Sequence, residues 1–201
     1  MLRLANQLTI ARMVMIPLLI TLLLSNHHGW ALVVFTLAGL TDALDGLIAR
    51  RYQQSSSLGA FLDPMADKLL MTACFIILAL PDHPRSVPEF RIANHLPLSL
   101  TIVTISRDVF IVMIALVIHL TSGVTRFTPT FLGKLTTVTQ VLTIGTVLLF
   151  NYREEEATIL ITALVWLTLA MTISSGLHYI YHSTRPAASG ERGPGGPAGG
   201  S

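Results

Sequence analysis

The sequence is poor in charge. Asp, Glu, Lys and Arg make up 12% of its 201 residues, about half the share of an average soluble domain, which is too little to coat a water-soluble surface of this size. Cysteine is nearly missing. Cys74 stands alone, so no internal disulfide can form and a disulfide scaffold is excluded. Aromatics total 7% and never interleave with a basic stripe, which excludes a nucleic-acid partner. No small-residue cleavage site follows the first apolar run, so no cleaved leader is expected. Apolar residues fill the chain instead, at 52% with a mean hydropathy of +0.65. A soluble enzyme and a disordered protein are both excluded, and a chain that spans a lipid bilayer is predicted.

Six stretches reach the roughly 20 apolar residues that a helix needs to cross a bilayer. They run over about 8–25, 29–50, 60–80, 97–119, 130–150 and 157–182. The predicted fold class is therefore all-α, a polytopic membrane protein with six transmembrane helices and one catalytic unit over residues 1–182. Pro81, Pro84 and Pro88 keep the longest connection out of helix. The tail over 183–201 is rich in Gly, Pro and Ala. It buries too little apolar area to offset its ordering entropy, and disorder is expected there. With the N-terminus in the cytoplasm, nine of the 13 Lys and Arg fall on or near that side. Arg85, Arg91 and Arg153 fall on the other, and Arg107 lies mid-helix. The positive-inside rule then puts both termini on the cytoplasmic side, and a bacterial inner membrane is the expected location.

Four carboxylates interrupt the second and third apolar stretches: Asp42, Asp45, Asp63 and Asp67. Each costs about 3 kcal/mol within a membrane helix, so each needs a partner or a purpose. At about 100° per residue, Asp42, Asp45, Gly46 and Ala49 share one helical stripe, and Gly59, Asp63 and Asp67 share another. A short loop joins the two helices and predicts antiparallel neighbours, so the stripes can face each other. Four like charges at close range require protons or cations between them. All-oxygen ligands suit hard ions, Mg²⁺ or Mn²⁺, and two such ions balance four carboxylates. Metal held by Asp near a membrane surface suits a phosphate or pyrophosphate. The small residues Gly46, Ala49 and Gly59 leave room for a ligand, and Arg50 supplies a cation for a phosphate oxygen. Against this stands a plainer account, in which one intramembrane Asp is a paired structural residue and Gly and Ala serve close helix packing. That account fits a single Asp better than four on two matching faces.

Residues 42–67, DALDGLIARRYQQSSSLGAFLDPMAD, fit D-x2-D-G-x2-A-R-x8-G-x3-D-x3-D at every fixed position. This resembles the signature of the CDP-alcohol phosphatidyltransferase family. Asn6, Leu8, Thr9 and Arg12 are similar to the N-x-L-T-x-x-R opening of that family, and the resemblance extends over about residues 1–182. It implies transfer of a phosphatidyl or similar group from a CDP-linked donor, here CDP-diacylglycerol, to a hydroxyl acceptor with release of CMP. By position, it implies Asp42, Asp45, Asp63 and Asp67 as metal ligands and Asp67 also as general base. It further implies Gly46, Ala49, Arg50 and Gly59 as the CDP site, and a homodimer.

The acceptor is read from later residues. Asp63 to Lys68 (DPMADK) resembles members that make phosphatidylglycerophosphate or cardiolipin, so a glycerol-phosphate-type acceptor is implied, either glycerol 3-phosphate or phosphatidylglycerol. Ser106-Arg107-Asp108, Pro129-Thr130-Phe131 and Gly133-Lys134 with Gln140 look most like the eukaryotic type of cardiolipin synthase. Thr136 stands where a second Lys is common in the bacterial phosphatidylglycerophosphate branch. Arg107, Arg126 and Lys134 are the candidate cations for the acceptor phosphate. The alternative for Arg107 and Asp108 is a structural ion pair, and since neighbouring residues on a helix point apart, each is expected to find other partners.

Two other function classes compete. A membrane prenyltransferase also uses metal-bound Asp, but wants two Asp-rich motifs in a longer chain. A divalent-cation carrier would spread its acids over several depths, whereas these four lie towards one side.

Overall fold

The computed structural model describes residues 4–52, 57–81, 90, 92–122 and 131–183. Among these residues are six helices: α1 (Leu4–Leu24), α2 (His28–Tyr52), α3 (Ser57–Leu78), α4 (Leu98–Ser122), α5 (Phe131–Arg153) and α6 (Thr158–Ser183). No strand occurs among the described residues. The order matches the six predicted stretches. α1 and α3 start a few residues early, because their polar first turns are helical without adding to an apolar run. The tail from residue 184 lies outside the described residues. Among those residues, Phe131–Arg153 and Thr158–Tyr179 are the two helices long and apolar enough to cross a membrane by length and composition. α2 and α3 each join an apolar half to a half that carries the Asp motif.

Two tight turns set the helix ends opposite the motif. α1 closes with His27 N–H donating to the Leu22 carbonyl at 2.8 Å, while Asn26 takes φ 57°. α5 closes alike, with Glu155 N–H on the Phe150 carbonyl at 3.1 Å and Glu154 at φ 54°. A left-handed residue after the last turn satisfies the orphan carbonyls, a post that Asn fills more readily than most side chains.

α1 packs on both α2 and α3, α2 packs on α5, and α5 and α4 pack on α6. α1 thus lies against both α2 and α3, and α2 and α3 share the wall of one cavity through Phe35, Leu40, Asp67 and Met71; the predicted facing of the two Asp stripes falls on side chains outside those described. Beyond Arg12, α1 is apolar around its circumference (MVMIPLLITLLL), so it has a face for each. Residue pairs give the directions. Thr101 Oγ1 donates to the Phe75 carbonyl at 3.1 Å and Lys68 reaches Asp108, so α3 and α4 are antiparallel. Phe35 lies beside Gly145, and Tyr152 beside Gly29, so α2 and α5 are antiparallel too.

The core is built from Leu19, Leu23, Phe75, Leu78, Phe90, Leu100, Ile144 and Leu148, all buried. Polar groups are buried as well, including Thr136, Thr139, Gln140, Thr143, Thr168, Thr172 and Ser175. Large apolar side chains face outward instead: Ile159 is 89% exposed, Trp166 66% and Leu177 63%. Polar inside and apolar outside is the arrangement that lipid favours, because tails offer hydroxyls nothing and accept Leu and Ile freely.

One polar clasp fastens the end opposite the motif. Asn151 Oδ1 accepts from Asn94 N–H at 2.7 Å, and Asn151 Nδ2 donates to the Asn94 carbonyl at 3.2 Å. Asn94 Nδ2 donates to the Glu155 carbonyl at 2.9 Å, and its Oδ1 accepts from Ala157 N–H at 3.2 Å. The chain before α4 is thereby tied to the turn between α5 and α6.

Candidate active site

Asp42, Asp45, Gly46, Ala49 and Arg50 all lie on the last turns of α2, and Gly59, Asp63 and Asp67 on the first half of α3. Both helices are unbroken across these positions, so the predicted stripes hold at 100° per residue. α2 ends at Tyr52 and α3 begins at Ser57, which sets the two stripes at one end of the bundle. The side chains of Asp42, Asp45, Gly46, Ala49, Arg50, Gly59 and Asp63 lie outside those described, as does Arg126. Asp67 is described. It is half-buried and lines a cavity of about 460 Å³ between α2, α3 and α5. Phe35, Leu40, Met71, Val141 and Leu142 share its wall. A Cβ added at Gly39 would meet nothing within 4 Å, so this part of the wall is open. The cavity sets an apolar space beside a carboxylate, a shape that takes a ligand with an apolar part and a polar head.

The donor set fits a hard divalent cation. Four carboxylates on two helices offer only oxygen, carry the charge that two such ions neutralise, and stand at spacings that keep each pair on one helical face. Soft metals want thiolate, and the single Cys74 is buried on α3 within the core.

The acceptor cations divide. Lys134 is exposed on the first turn of α5. Arg107 is turned inward with its side chain 10% exposed, and both of its terminal nitrogens are engaged. Arg107 Nη1 donates to Asp108 Oδ1 at 2.8 Å, and Nη2 to Ser175 Oγ on α6 at 2.5 Å. Nε is buried without a hydrogen-bond partner. Neighbouring residues on α4 thus do pair, against the prediction that they point apart. The Arg107 stem is long enough to curl back, and Asp108 turns one oxygen to it. The other oxygen, Oδ2, accepts from Lys68 Nζ on α3 at 2.6 Å.

Lys68 is the residue that sequence reasoning passed over. It directly follows Asp67, and a helix turns successive side chains about 100° apart. Asp67 faces the cavity with α2 and α5, while Lys68 faces α4. A lone Lys just past an Asp motif and an unpaired Asp in the fourth apolar run were the available signal. Arg12, met first only as part of the N-terminal pattern, is 1% exposed on α1 and is engaged within the protein.

A family model described as CDP-alcohol phosphatidyltransferase matches residues 2–174. The chain is 31% identical to the rat (Rattus norvegicus) protein named cardiolipin synthase (CMP-forming), over 90% of this chain and 61% of that one. It is 30% identical to the human (Homo sapiens) protein of the same name, again over 90% and 61%. It is 30% identical to the Bacillus subtilis (strain 168) protein named CDP-diacylglycerol–glycerol-3-phosphate 3-phosphatidyltransferase, over 89% of this chain and 94% of that one. The chain spans about three fifths of the length of the rat and human relatives and nearly the whole of the bacterial one. A family match over most of the chain, with the Asp pattern on two helices at one end of the bundle, places this protein in the CDP-alcohol phosphatidyltransferase family.

Proposed function

We propose that this chain transfers a phosphatidyl group from CDP-diacylglycerol to a glycerol-type hydroxyl, with release of CMP. The acceptor is glycerol 3-phosphate, giving phosphatidylglycerophosphate, or phosphatidylglycerol, giving cardiolipin. The observation that carries this reading is the pair of Asp stripes at one end of α2 and α3, with Asp67 on the wall of an apolar cavity. The names of the relatives support it, since both branches occur among them. The family is membrane-bound and generally depends on a divalent metal.

Asp42, Asp45, Asp63 and Asp67 hold two Mg²⁺ or Mn²⁺ ions in this reading. Metal held by these carboxylates would supply charge withdrawal from the phosphoryl oxygens and stabilisation of the CMP leaving group. Asp67 takes the proton of the acceptor hydroxyl, whose oxygen forms the new bond to phosphorus as the bond to the CMP oxygen breaks. Arg50 steadies a phosphate of the CDP moiety, and Gly46, Ala49 and Gly59 leave space for it. The cavity beside Asp67 keeps the lipid part out of water. Lys134 and Arg126 serve the acceptor phosphate, and Arg107 supports them through its remaining N–H groups. All six helices cross the bilayer, with residues 1–182 as the catalytic unit, the tail disordered, and both termini and the site facing the cytoplasm. The lysine and arginine distribution supports that orientation. The chain acts as a homodimer in a bacterial inner membrane.

The test supplies purified protein with CDP-diacylglycerol and, in parallel, glycerol 3-phosphate, phosphatidylglycerol, inositol phosphate or serine. Release of CMP with either of the first two and the matching lipid product supports the reading. CMP release only with inositol phosphate or serine overturns the acceptor class, and none with any acceptor overturns the proposal.

A further inference from the structure

Asp108 lies between two cations and belongs to neither alone. Its Oδ2 accepts from Lys68 of α3 at 2.6 Å, and its Oδ1 from Arg107 of α4 at 2.8 Å. Arg107 continues to Ser175 of α6. Asp108 is 16% exposed and Lys68 40%, so the carboxylate is fixed while the lysine sits at the edge of solvent. Lys68 is covalently next to Asp67. A lysine stem is long and flexible, and among the described residues Asp108 is the acid that holds its ammonium on the α4 face of α3, turned from the cavity that Asp67 lines. Two cations on one carboxylate leave a net positive charge beside a site that must receive positive ions. Left unheld, an ammonium competes with a metal for a carboxylate oxygen, since both are hard cations seeking the same ligand.

We propose that Asp108 is a positioning residue that sequesters the Lys68 ammonium, keeping it on the α4 side of α3 and out of the carboxylate group that includes Asp67. This rests on the reading of the Asp motif as a divalent-metal site and adds a residue on a different helix to its control. Arg107 is the second clamp. It fixes the rotamer of Asp108 by taking one oxygen and anchoring itself to Ser175, so that the other oxygen stays aimed at Lys68. The wild-type site is thus kept clear of a competing cation by an acid that touches neither metal nor substrate.

The test is Mn²⁺ binding to detergent-purified protein, followed by electron paramagnetic resonance, with thermal unfolding recorded alongside. Asp108→Asn keeps the shape of the side chain and removes its charge. It is expected to weaken Mn²⁺ binding about two- to fivefold, the scale of a partly exposed ion pair. Lys68→Met combined with Asp108→Asn is expected to restore wild-type affinity. Arg107→Met combined with Asp108→Asn has the same net charge as that double variant but leaves Lys68 free, and is expected to stay weak. Unchanged affinity in a folded Asp108→Asn variant overturns the proposal. Equal restoration by both double variants also overturns it, because net charge alone then explains the effect. Should Asp108→Asn not survive purification, Lys68→Met decides. Affinity equal to or above wild type supports sequestration, and a several-fold loss overturns it. A wild-type protein that binds no Mn²⁺ overturns the metal reading itself and this proposal with it, which separates that failure from the others.

Discussion

Two helix pairs in this protein carry polar residues inside an apolar chain, and they handle them in opposite ways. On α5 and α6 the buried threonine hydroxyls find partners, although Gln140 Nε2 does not. Thr143 and Thr168 hydroxyls meet at 2.8 Å. Thr136 Oγ1 lies 2.8 Å from the Leu132 carbonyl and 3.1 Å from that of Met171 across the interface. Thr172 donates to the Thr168 carbonyl at 2.7 Å. A hydroxyl both gives and accepts, so a neutral polar seam can close on itself. The acids of α2 and α3 cannot. Ionised carboxylates only accept and they repel one another, so the proposed metal site needs a positive ion that a hydroxyl seam does not. The kind of polar group, more than the number, separates a packing seam from a site.

Chelation with EDTA should abolish CMP release, and Mg²⁺ or Mn²⁺ should restore it, while the melting transition of the α5–α6 seam persists. Retained activity in EDTA would remove the need for a metal. Asp67→Asn should lower transfer by about 10²- to 10⁴-fold, the range for losing a general base, in a protein that still purifies as folded. Asn151→Leu strikes the clasp at the far end. It strips the Asn94 backbone N–H and carbonyl of partners and should cost about 2–3 kcal/mol of stability in an unfolding titration, with activity kept below the melting point. Gly29→Ala should cost no more than about 1 kcal/mol, since a Cβ there would come within 2.7 Å of the Tyr152 ring, which is exposed and can turn aside. Gly39→Ala, with open space around it, should change stability by no more than about 0.5 kcal/mol. Thr143→Val should cost about 0.6–1 kcal/mol and leave turnover intact.

Much of this was legible in the residues. Runs such as 130–150 and 157–182 announce helices by length alone, and α5 and α6 fall within a few residues of them. The Asp stripes follow from spacing, because periodicity survives any packing of the helices. Partnership was harder to read. The contact of α1 with both α2 and α3 depends on how three apolar surfaces share one core, and apolar surfaces carry little directional information. Arg107 and Asp108 were expected to point apart by the rule for helix neighbours, yet they pair, because a long side chain can return to its neighbour when α6 offers Ser175 as a second anchor. Lys68 escaped notice because its partner lies 40 residues away.

In the proposed reading the acids of α2 and α3 run the chemistry while the hydroxyls of α5 and α6 hold the fold. CMP release from CDP-diacylglycerol tests it most directly, measured side by side on the wild type, Asp67→Asn and Thr143→Val, with glycerol 3-phosphate or phosphatidylglycerol and with or without Mg²⁺. Wild type and Thr143→Val should release CMP only when the metal is present, and Asp67→Asn should release almost none. Equal release by Asp67→Asn, or loss of release in a well-folded Thr143→Val, would contradict the account.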